Sequence, residues 1–236
     1  MFFYSFLIFT SSILIGQNLS LEKLNSNVDA SFRGLDVINK KVVWVSGTRG
    51  TVLKTNDSGE TWKDISVPNS TEIDFRDIEA FDDKTAIVMG ISTPARFYKT
   101  NDGGENWDLV YFNENKEVFF DGMSFWDSKR GIAFSDPVNG EHYLINTKDG
   151  GETWQKIPSF GIPKKLEVEY GFAASGTGIP VFRNKIVWLG MGGQKSRVFK
   201  SSDGGMNWIA VETPLVHGGE STGIYSLAFK NKKVGI

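Results

Sequence analysis

The stretch Thr55-Asn56-Asp57-Ser58-Gly59-Glu60-Thr61-Trp62 occurs four times along the chain with small changes. The other copies begin at Thr100, Thr147 and Ser201. Each copy reads hydroxyl residue, any residue, Asp, small residue, Gly, any residue, Thr or Asn, and Trp. A motif that recurs every roughly 45 to 55 residues indicates a repeat architecture.

The residue types of this octet predict a tight turn between two strands. The Asp stands two residues before a Gly, so that its carboxylate can accept backbone N–H groups of a turn in which the Gly has a positive φ. The Trp falls on the outgoing strand, where its ring can enter a core. Because apolar runs precede every copy, we predict a β-hairpin at each one. The residues with this structural role are Asp57, Gly59, Trp62, Asp102, Gly104, Trp107, Asp149, Gly151, Trp154, Asp203, Gly205 and Trp208.

Short apolar segments surround each octet and predict four strands per repeat. Four-stranded antiparallel units of this length are typical of the blades of a β-propeller. We therefore predict an all-β propeller of about four and a half blades. The blades are expected at residues 32–68, 73–113, 118–158 and 168–212, and the innermost strand of the fourth is expected to run from Glu169 to Ser175. A partial blade is expected at 223–236, with its innermost strand at Ile224–Phe229. We expect an open arc with an exposed apolar edge, and hence a fragment of a larger propeller.

The octet resembles the Asp box, or BNR repeat, of sialidases and other β-propellers. The segment Val43–Trp62 is similar to propellers of the photosystem II stability and assembly factor type. The resemblance runs from about Phe32 to the end of the chain. It implies that the boxes lie at the outer rim, that their role is structural, and that the protein binds other proteins during assembly.

The beginning of the chain predicts export. Residues 1–16 are apolar, and no charged side chain precedes Glu22. The stretch is shorter than the roughly 20 residues of a membrane-spanning helix and favours a signal peptide cleaved near Gly16-Gln17. Residues 17–31 then form a linker. The alternative is an uncleaved membrane anchor; either reading places the rest of the chain in the periplasm or outside the cell.

The composition and the absence of known binding motifs argue against several classes of function. The 26 basic and 28 acidic residues nearly balance, so we expect no nucleic-acid partner. Cysteine is absent, and His142 and His217 are isolated, so we expect no metal site. No phosphate-binding or dinucleotide-binding motif occurs, and we expect no cofactor. Similar sequences are often labelled as oxidoreductases, but no motif here supports that label.

Four charged residues near the start of the innermost strands are the candidate binding residues. Arg33 and Arg76 each follow a Phe, and Asp121 and Glu169 stand near the equivalent places of the next two blades. We predict that they ring the mouth of a central channel, either as a binding site or as ion pairs with one another. The loops at 92–94, 136–140 and 175–180 are further candidate binding elements.

These observations predict a protein-binding scaffold without catalytic residues, whose partner is a protein or a glycan. The alternative is a glycan-binding or glycoside-hydrolysing propeller similar to sialidases. The Phe-Arg pairs at Arg33 and Arg76 are similar to the sialidase F-R-I-P motif, but Gly34 and Asp77 replace its Ile. The arginine triad of that family is incomplete here. We leave both readings open at this point and favour the scaffold.

Overall fold

A computed structural model describes Ser20 and residues 22–236. The predicted signal peptide, residues 1–16, lies outside the described part of the chain. The described residues form seventeen β-strands and one short 3-10 turn at Ser159–Gly161. No helix among them is long and apolar enough to cross a membrane.

The strands form four antiparallel sheets, one for each copy of the octet. The first two sheets consist of β1 (Phe32–Val37), β2 (Val43–Gly47), β3 (Val52–Thr55) and β4 (Lys63–Asp64), then β5 (Phe75–Ala80), β6 (Ala86–Gly90), β7 (Ala95–Thr100) and β8 (Asp108–Asn113). The next two consist of β9 (Phe120–Phe125), β10 (Gly131–Val138), β11 (Glu141–Thr147) and β12 (Gln155–Lys156), then β13 (Glu169–Tyr170), β14 (Val181–Phe182), β15 (Ile186–Gly193), β16 (Arg197–Ser201) and β17 (Trp208–Glu212). The sheets are numbered blades 1 to 4. Blades 1 to 3 follow chain order with four strands each, as predicted, and blade 4 has a fifth strand, since β13 and β14 both pair with β15.

The innermost strand of blade 4 differs from the prediction of one continuous strand from Glu169 to Ser175. Two short strands, β13 and β14, both pair with β15, and the intervening residues 171–180 leave the sheet as a loop. Gly and Pro residues are frequent in this segment, and such residues interrupt strand pairing. We call residues 171–180 the blade 4 loop.

The strand expected at Ile224–Phe229 is not formed. Among the described residues beyond β17, the only strand-like pairing is a single bridge between Phe229 and Gly235. The segment instead packs through its side chains. Ile224 and Leu227 are buried against Trp188, and the ring of Phe229 stacks on that indole at 3.8 Å.

Apolar layers between consecutive blades form the core. Phe75 of blade 2 packs in a cluster with Trp44 of blade 1, and Phe97 of blade 2 packs against Phe120 of blade 3. Phe199 of blade 4 packs in a third cluster with residues of blade 3. Each blade is therefore stabilised by its neighbours, as in other repeat proteins.

The four boxes share one hydrogen-bond pattern, which matches the turn predicted from the sequence. In the first box, Thr55 Oγ1 donates to Asp57 Oδ1 at 2.7 Å, and the N–H groups of Gly59 and Thr61 complete the turn. The hydroxyl and the N–H of Thr61 lower the pKa of Asp57 to about 2. The pKa values of Asp102, Asp149 and Asp203 are also about 2. Of the box tryptophans, Trp208 is buried and the other three are half-buried.

Replacing Asp149 by Ala is expected to lower the melting temperature by about 2 to 4 °C. The change leaves the hydroxyl of Thr147 and the N–H of Thr153 without their acceptor. Thermal unfolding checks this, with Asp108→Ala on the exposed surface of β8 as the matched control. A variant that kept its melting temperature but lost binding of a partner would contradict the structural role of the box.

Candidate functional site

The structure does not gather the four predicted binding residues into one ring. Arg33, Arg76 and Asp121 occupy the same place in blades 1 to 3, each at a β-bulge of the innermost strand. Glu169 pairs with Gly193 at the far end of β15 and lies outside that series. Among the described residues, none of the four forms an ion pair with another of the four. Whether any of them binds a ligand stays a prediction.

The surroundings of these residues differ. Arg33 is exposed on β1, and Arg76 donates from Nη1 to the carbonyl oxygen of Ala173 in the blade 4 loop at 2.8 Å. Asp121 is buried beneath the same loop. Burial and the nearby Asp136 carboxylate raise the pKa of Asp121 well above its usual value. Arg76 therefore holds the loop in place, and Asp121 lies in close contact with Gly171 of the same loop.

Glu169 belongs to an ion-pair cluster between blades 3 and 4. Its carboxylate accepts from Nε of Arg197 at 2.6 Å and from Nη2 of the same guanidinium at 2.5 Å. Nε2 of His142, on β11, lies 3.3 Å from Glu169 Oε2. Burial acts to raise the pKa of Glu169, but the contacts with His142 and Arg197 outweigh it and the pKa is lowered. The ion pair with Arg197 therefore lies within blade 4, and the contact with His142 connects it to blade 3.

A cavity of about 300 Å³ lies where the innermost strands of blades 1, 2 and 3 face the blade 4 loop. We call it the central cavity. Its polar lining residues are Asp36, Asp77, Glu79, Ser124, Ser175 and Thr177. No Lys or Arg is among the described residues that line it. Sequence reasoning selected the loop that carries Ser175 and Thr177, but it missed the three carboxyl groups.

Three carboxylates connect consecutive blades around this centre. Asp36 of blade 1 accepts the N–H of Ala80 in blade 2 at 2.7 Å, and Asp77 of blade 2 accepts the N–H of Met123 in blade 3 at 2.7 Å. Asp136 of blade 3 accepts the N–H of Gly171 in the blade 4 loop at 2.9 Å. The arc is thus cross-linked near its axis by hydrogen bonds as well as by apolar layers.

The blade 4 loop closes tightly over Asp77. Gly176 has φ +72°, and a Cβ atom at this position would overlap the carboxylate of Asp77, so the loop needs glycine here. Burial raises the pKa of Asp77 to about 7, against the hydrogen bonds from Met123 and Ile78. Burial also raises the pKa of Glu79 well above its usual value, and the carboxylates of Asp77 and Asp36 add to this effect.

The central cavity therefore offers carboxyl groups and hydroxyls as hydrogen-bonding groups. Among the described residues, no group of three or more His, Asp and Glu side chains is placed to hold a metal ion. The signal that could have identified the carboxyl groups is the alternation in Phe75-Arg76-Asp77-Ile78-Glu79. Asp77 and Glu79 stand two residues apart, after the bulge at Arg76, and therefore share one side of the strand.

Comparisons with known proteins are consistent with a β-propeller fold for this chain. A family model described as photosynthesis system II assembly factor YCF48 matches residues 16–117. No curated protein sequence matches the chain. A solved structure described as YCF48 bound to D1 peptide is 15% identical over 90% of this chain and 91% of that chain, with a TM-score of 0.48.

Two enzymes are also similar in structure. The GH74 xyloglucanase from Xanthomonas campestris is 12% identical over 78% of this chain, with a TM-score of 0.53, and an ancestral GH74 enzyme is 17% identical over 81%, with a TM-score of 0.54. This chain spans only 30% and 25% of those two chains, and such low identity shows the fold alone. The chain is an Asp-box β-propeller that resembles the YCF48 assembly factor family and, more distantly, the propellers of glycosidases.

Proposed function

We propose that the chain is an exported, non-catalytic propeller that binds another protein and acts as an assembly scaffold. The match of residues 16–117 to an assembly factor family supports a protein partner. The observation that favours a non-catalytic role is the use of the central carboxylates. Asp36, Asp77 and Asp136 are each engaged by a backbone N–H of the next blade.

Glycoside hydrolysis requires two carboxyl groups that can reach the scissile bond from either side. Asp77 is buried, and both of its oxygens accept backbone N–H groups, from Ile78 and Met123. Asp121 is buried under the blade 4 loop, and Glu169 is ion-paired with Arg197. Carboxylates that are buried or ion-paired in this way favour binding over catalysis.

The surface best suited to a partner is the rim of the central cavity. Ser175 and Thr177 are exposed at its edge, on a loop that the neighbouring blades hold from below. Loops fixed by a rigid β scaffold commonly carry binding functions. A partner peptide that enters the cavity would find hydroxyl and carboxyl groups to bond with, and apolar walls from Ile179 and Leu227.

Export is the second element of the proposal. The apolar stretch of residues 1–16 supports a cleaved signal peptide. Sequencing of the mature amino terminus in a secreting host is expected to begin at Gln17. A protein that retains Met1 and sediments with membranes would favour the uncleaved anchor instead.

A glycoside-active propeller is the second candidate, and Glu79 is the observation that favours it. Burial and the carboxylates of Asp77 and Asp36 raise its pKa, which is the direction that a general acid requires, and Glu79 lines the central cavity. The partner carboxylate would be Asp36, whose Oδ2 already accepts the N–H of Ala80.

We expect the purified chain to show no hydrolysis of sialosides, aryl glycosides or xyloglucan above the blank. A photo-crosslinking side chain at Ser175 is expected to capture a partner protein in cells, whereas the same side chain at exposed Lys148, on the outer rim, is not. The enzyme would be established instead if the chain hydrolysed a glycoside at about 1 to 1,000 per second, the ordinary range of enzymes, and if Glu79→Gln abolished that activity. Equal capture from both positions would contradict the proposed binding surface.

A further inference from the structure

A cavity of about 390 Å³ lies between blade 3 and the linker that leads from β12 to β13. We call it the linker cavity. One wall is the hairpin between β10 and β11, and the other is formed by residues 159–165 of the linker. The linker cavity shares no lining residue with the central cavity, and blades 3 and 4 beside it each have their full set of strands. It is therefore a separate candidate binding site.

The linker cavity coincides with a departure of blade 3 from the repeat at His142. Five residues before the hydroxyl that opens each box, the other blades carry the small residues Gly50, Ala95 and Ser196, and all four residues are buried. In blade 1 the following linker closes directly on this position, where the N–H of Gly50 donates to the carbonyl oxygen of Ile73 at 2.7 Å. An imidazole is larger than any of these side chains, so the linker of blade 3 cannot close in the same way and a cavity remains.

His142 brings a buried polar group to the wall of this cavity. It is 4% exposed, and its ring packs edge-on against Phe199 with the centroids 5.0 Å apart. Nε2 lies 3.3 Å from Glu169 Oε2 without the alignment of a hydrogen bond, and it has no partner among the described residues. Both oxygens of that carboxylate accept from Arg197 instead. A buried nitrogen whose bonding capacity the protein leaves unused requires an explanation, and a ligand in the adjoining cavity is one.

The charges around the linker cavity favour a ligand with one negative charge. Nζ of Lys165 already donates to two backbone carbonyl oxygens of the linker, at 2.6 and 2.7 Å. The carboxylate of Glu141 accepts the hydroxyl of Ser159 at 2.8 Å. Lys164 is exposed at the rim and forms no ion pair in the described part of the chain. A ligand therefore meets one free ammonium group, which complements a single carboxylate.

We propose that the linker cavity binds a small organic acid with an apolar body. The carboxylate bonds to the ammonium of Lys164 at the rim, and the imidazole of His142 forms the second polar contact in the wall. The apolar body lies against Phe160, which is 86% exposed, and against the half-buried Ile162 and Pro163. Binding removes the exposed ring from water, and apolar walls with a few polar groups are typical of small-molecule sites. The inference does not depend on the proposed function.

The test adds phenylacetate or hexanoate, two acids with apolar bodies, to the full chain labelled with ¹³C. His142 and His217 are the two histidines of the sequence, so their Cε1–H groups give two NMR signals, assigned by the loss of one of them in His217→Gln. We expect both acids to shift the His142 signal saturably, with a Kd of about 0.1 to 10 mM, while the signal of the exposed His217 stays in place. Phenylacetamide has the same shape without the charge and is expected to bind at least about tenfold more weakly.

Lys164→Gln is expected to weaken the binding of phenylacetate about tenfold, because it removes the ammonium group from an exposed side chain that the fold does not need. Lys148→Gln, also exposed but on the outer rim, is the matched control. Phe160→Ala is expected to weaken the binding of both acids, since it removes apolar contact area. The proposal is overturned if neither acid shifts the His142 signal at about 50 mM. It is also overturned if phenylacetamide binds as tightly as phenylacetate, or if Lys164→Gln binds like the wild type.

Discussion

Replacing Phe97 by Ala is expected to lower the free energy of unfolding by about 3 to 5 kcal/mol, the largest stability loss that we foresee for a single substitution. Phe97 is fully buried between blades 2 and 3. Its ring centroid lies 4.8 Å from that of Phe120 and 5.3 Å from that of Trp154, in edge-to-face contacts. The substitution leaves a cavity that the surrounding strands cannot close, because their hydrogen-bonded pairing fixes their positions. Urea denaturation followed by Trp fluorescence measures the loss.

Phe160→Ala is the matched control, since Phe160 is 86% exposed in the 3-10 turn and touches no core cluster. We expect the control to unfold like the wild type. If Phe97→Ala also unfolded like the wild type, the layer between blades 2 and 3 would contribute little to stability. Since repeat proteins can unfold in parts, a second probe such as circular dichroism should follow the same transition.

The second large effect is a fall in stability as the pH rises from about 4 to about 7. Burial raises the pKa of Asp77 from its usual 3.8 to about 7. The folded chain therefore holds this proton more tightly than the unfolded chain does. The stability that this proton contributes to the folded chain is fully present below pH 4 and is lost as the pH rises through 7. The loss in the free energy of unfolding is on the order of 4 kcal/mol.

Asp77→Asn is expected to reduce the dependence of the free energy of unfolding on pH between 4 and 7, because the amide keeps an oxygen acceptor and cannot ionise. Some slope is expected to remain, since the pKa values of Glu79 and Asp121 are also raised. The box carboxylates act in the opposite direction, but with pKa values of about 2 their contribution is lost only at more acid pH. Denaturant unfolding at several pH values measures the slope, with Asp108→Asn on the exposed surface as the control. An unchanged slope in Asp77→Asn would show that Asp77 is not the group responsible.

The sequence was sufficient for the repeat and for most strands, because both depend on local chemistry. Each turn requires a carboxylate, a glycine with positive φ and a Trp on the outgoing strand, so the same residue types recur in every repeat, as in Thr55–Trp62. The failures fall where long-range contacts override the local pattern. The segment from Glu169 reads as one strand, but its glycines instead form a loop over Asp77 and Asp121, two residues of other blades.

By itself the sequence determined the four hairpins, the four-stranded blades and the roles of the box residues, because each depends on residues within one repeat. Only the tertiary structure decided the partners of the charged residues. Glu169 bonds to Arg197, and Asp36 and Asp77 accept N–H groups from the following blades, across separations that no spacing in the sequence reveals. It also left the buried indole N–H of Trp62 without a hydrogen-bond partner among the described residues. Side chains within one turn are fixed by neighbouring residues, whereas the contacts between blades are fixed by how the blades pack.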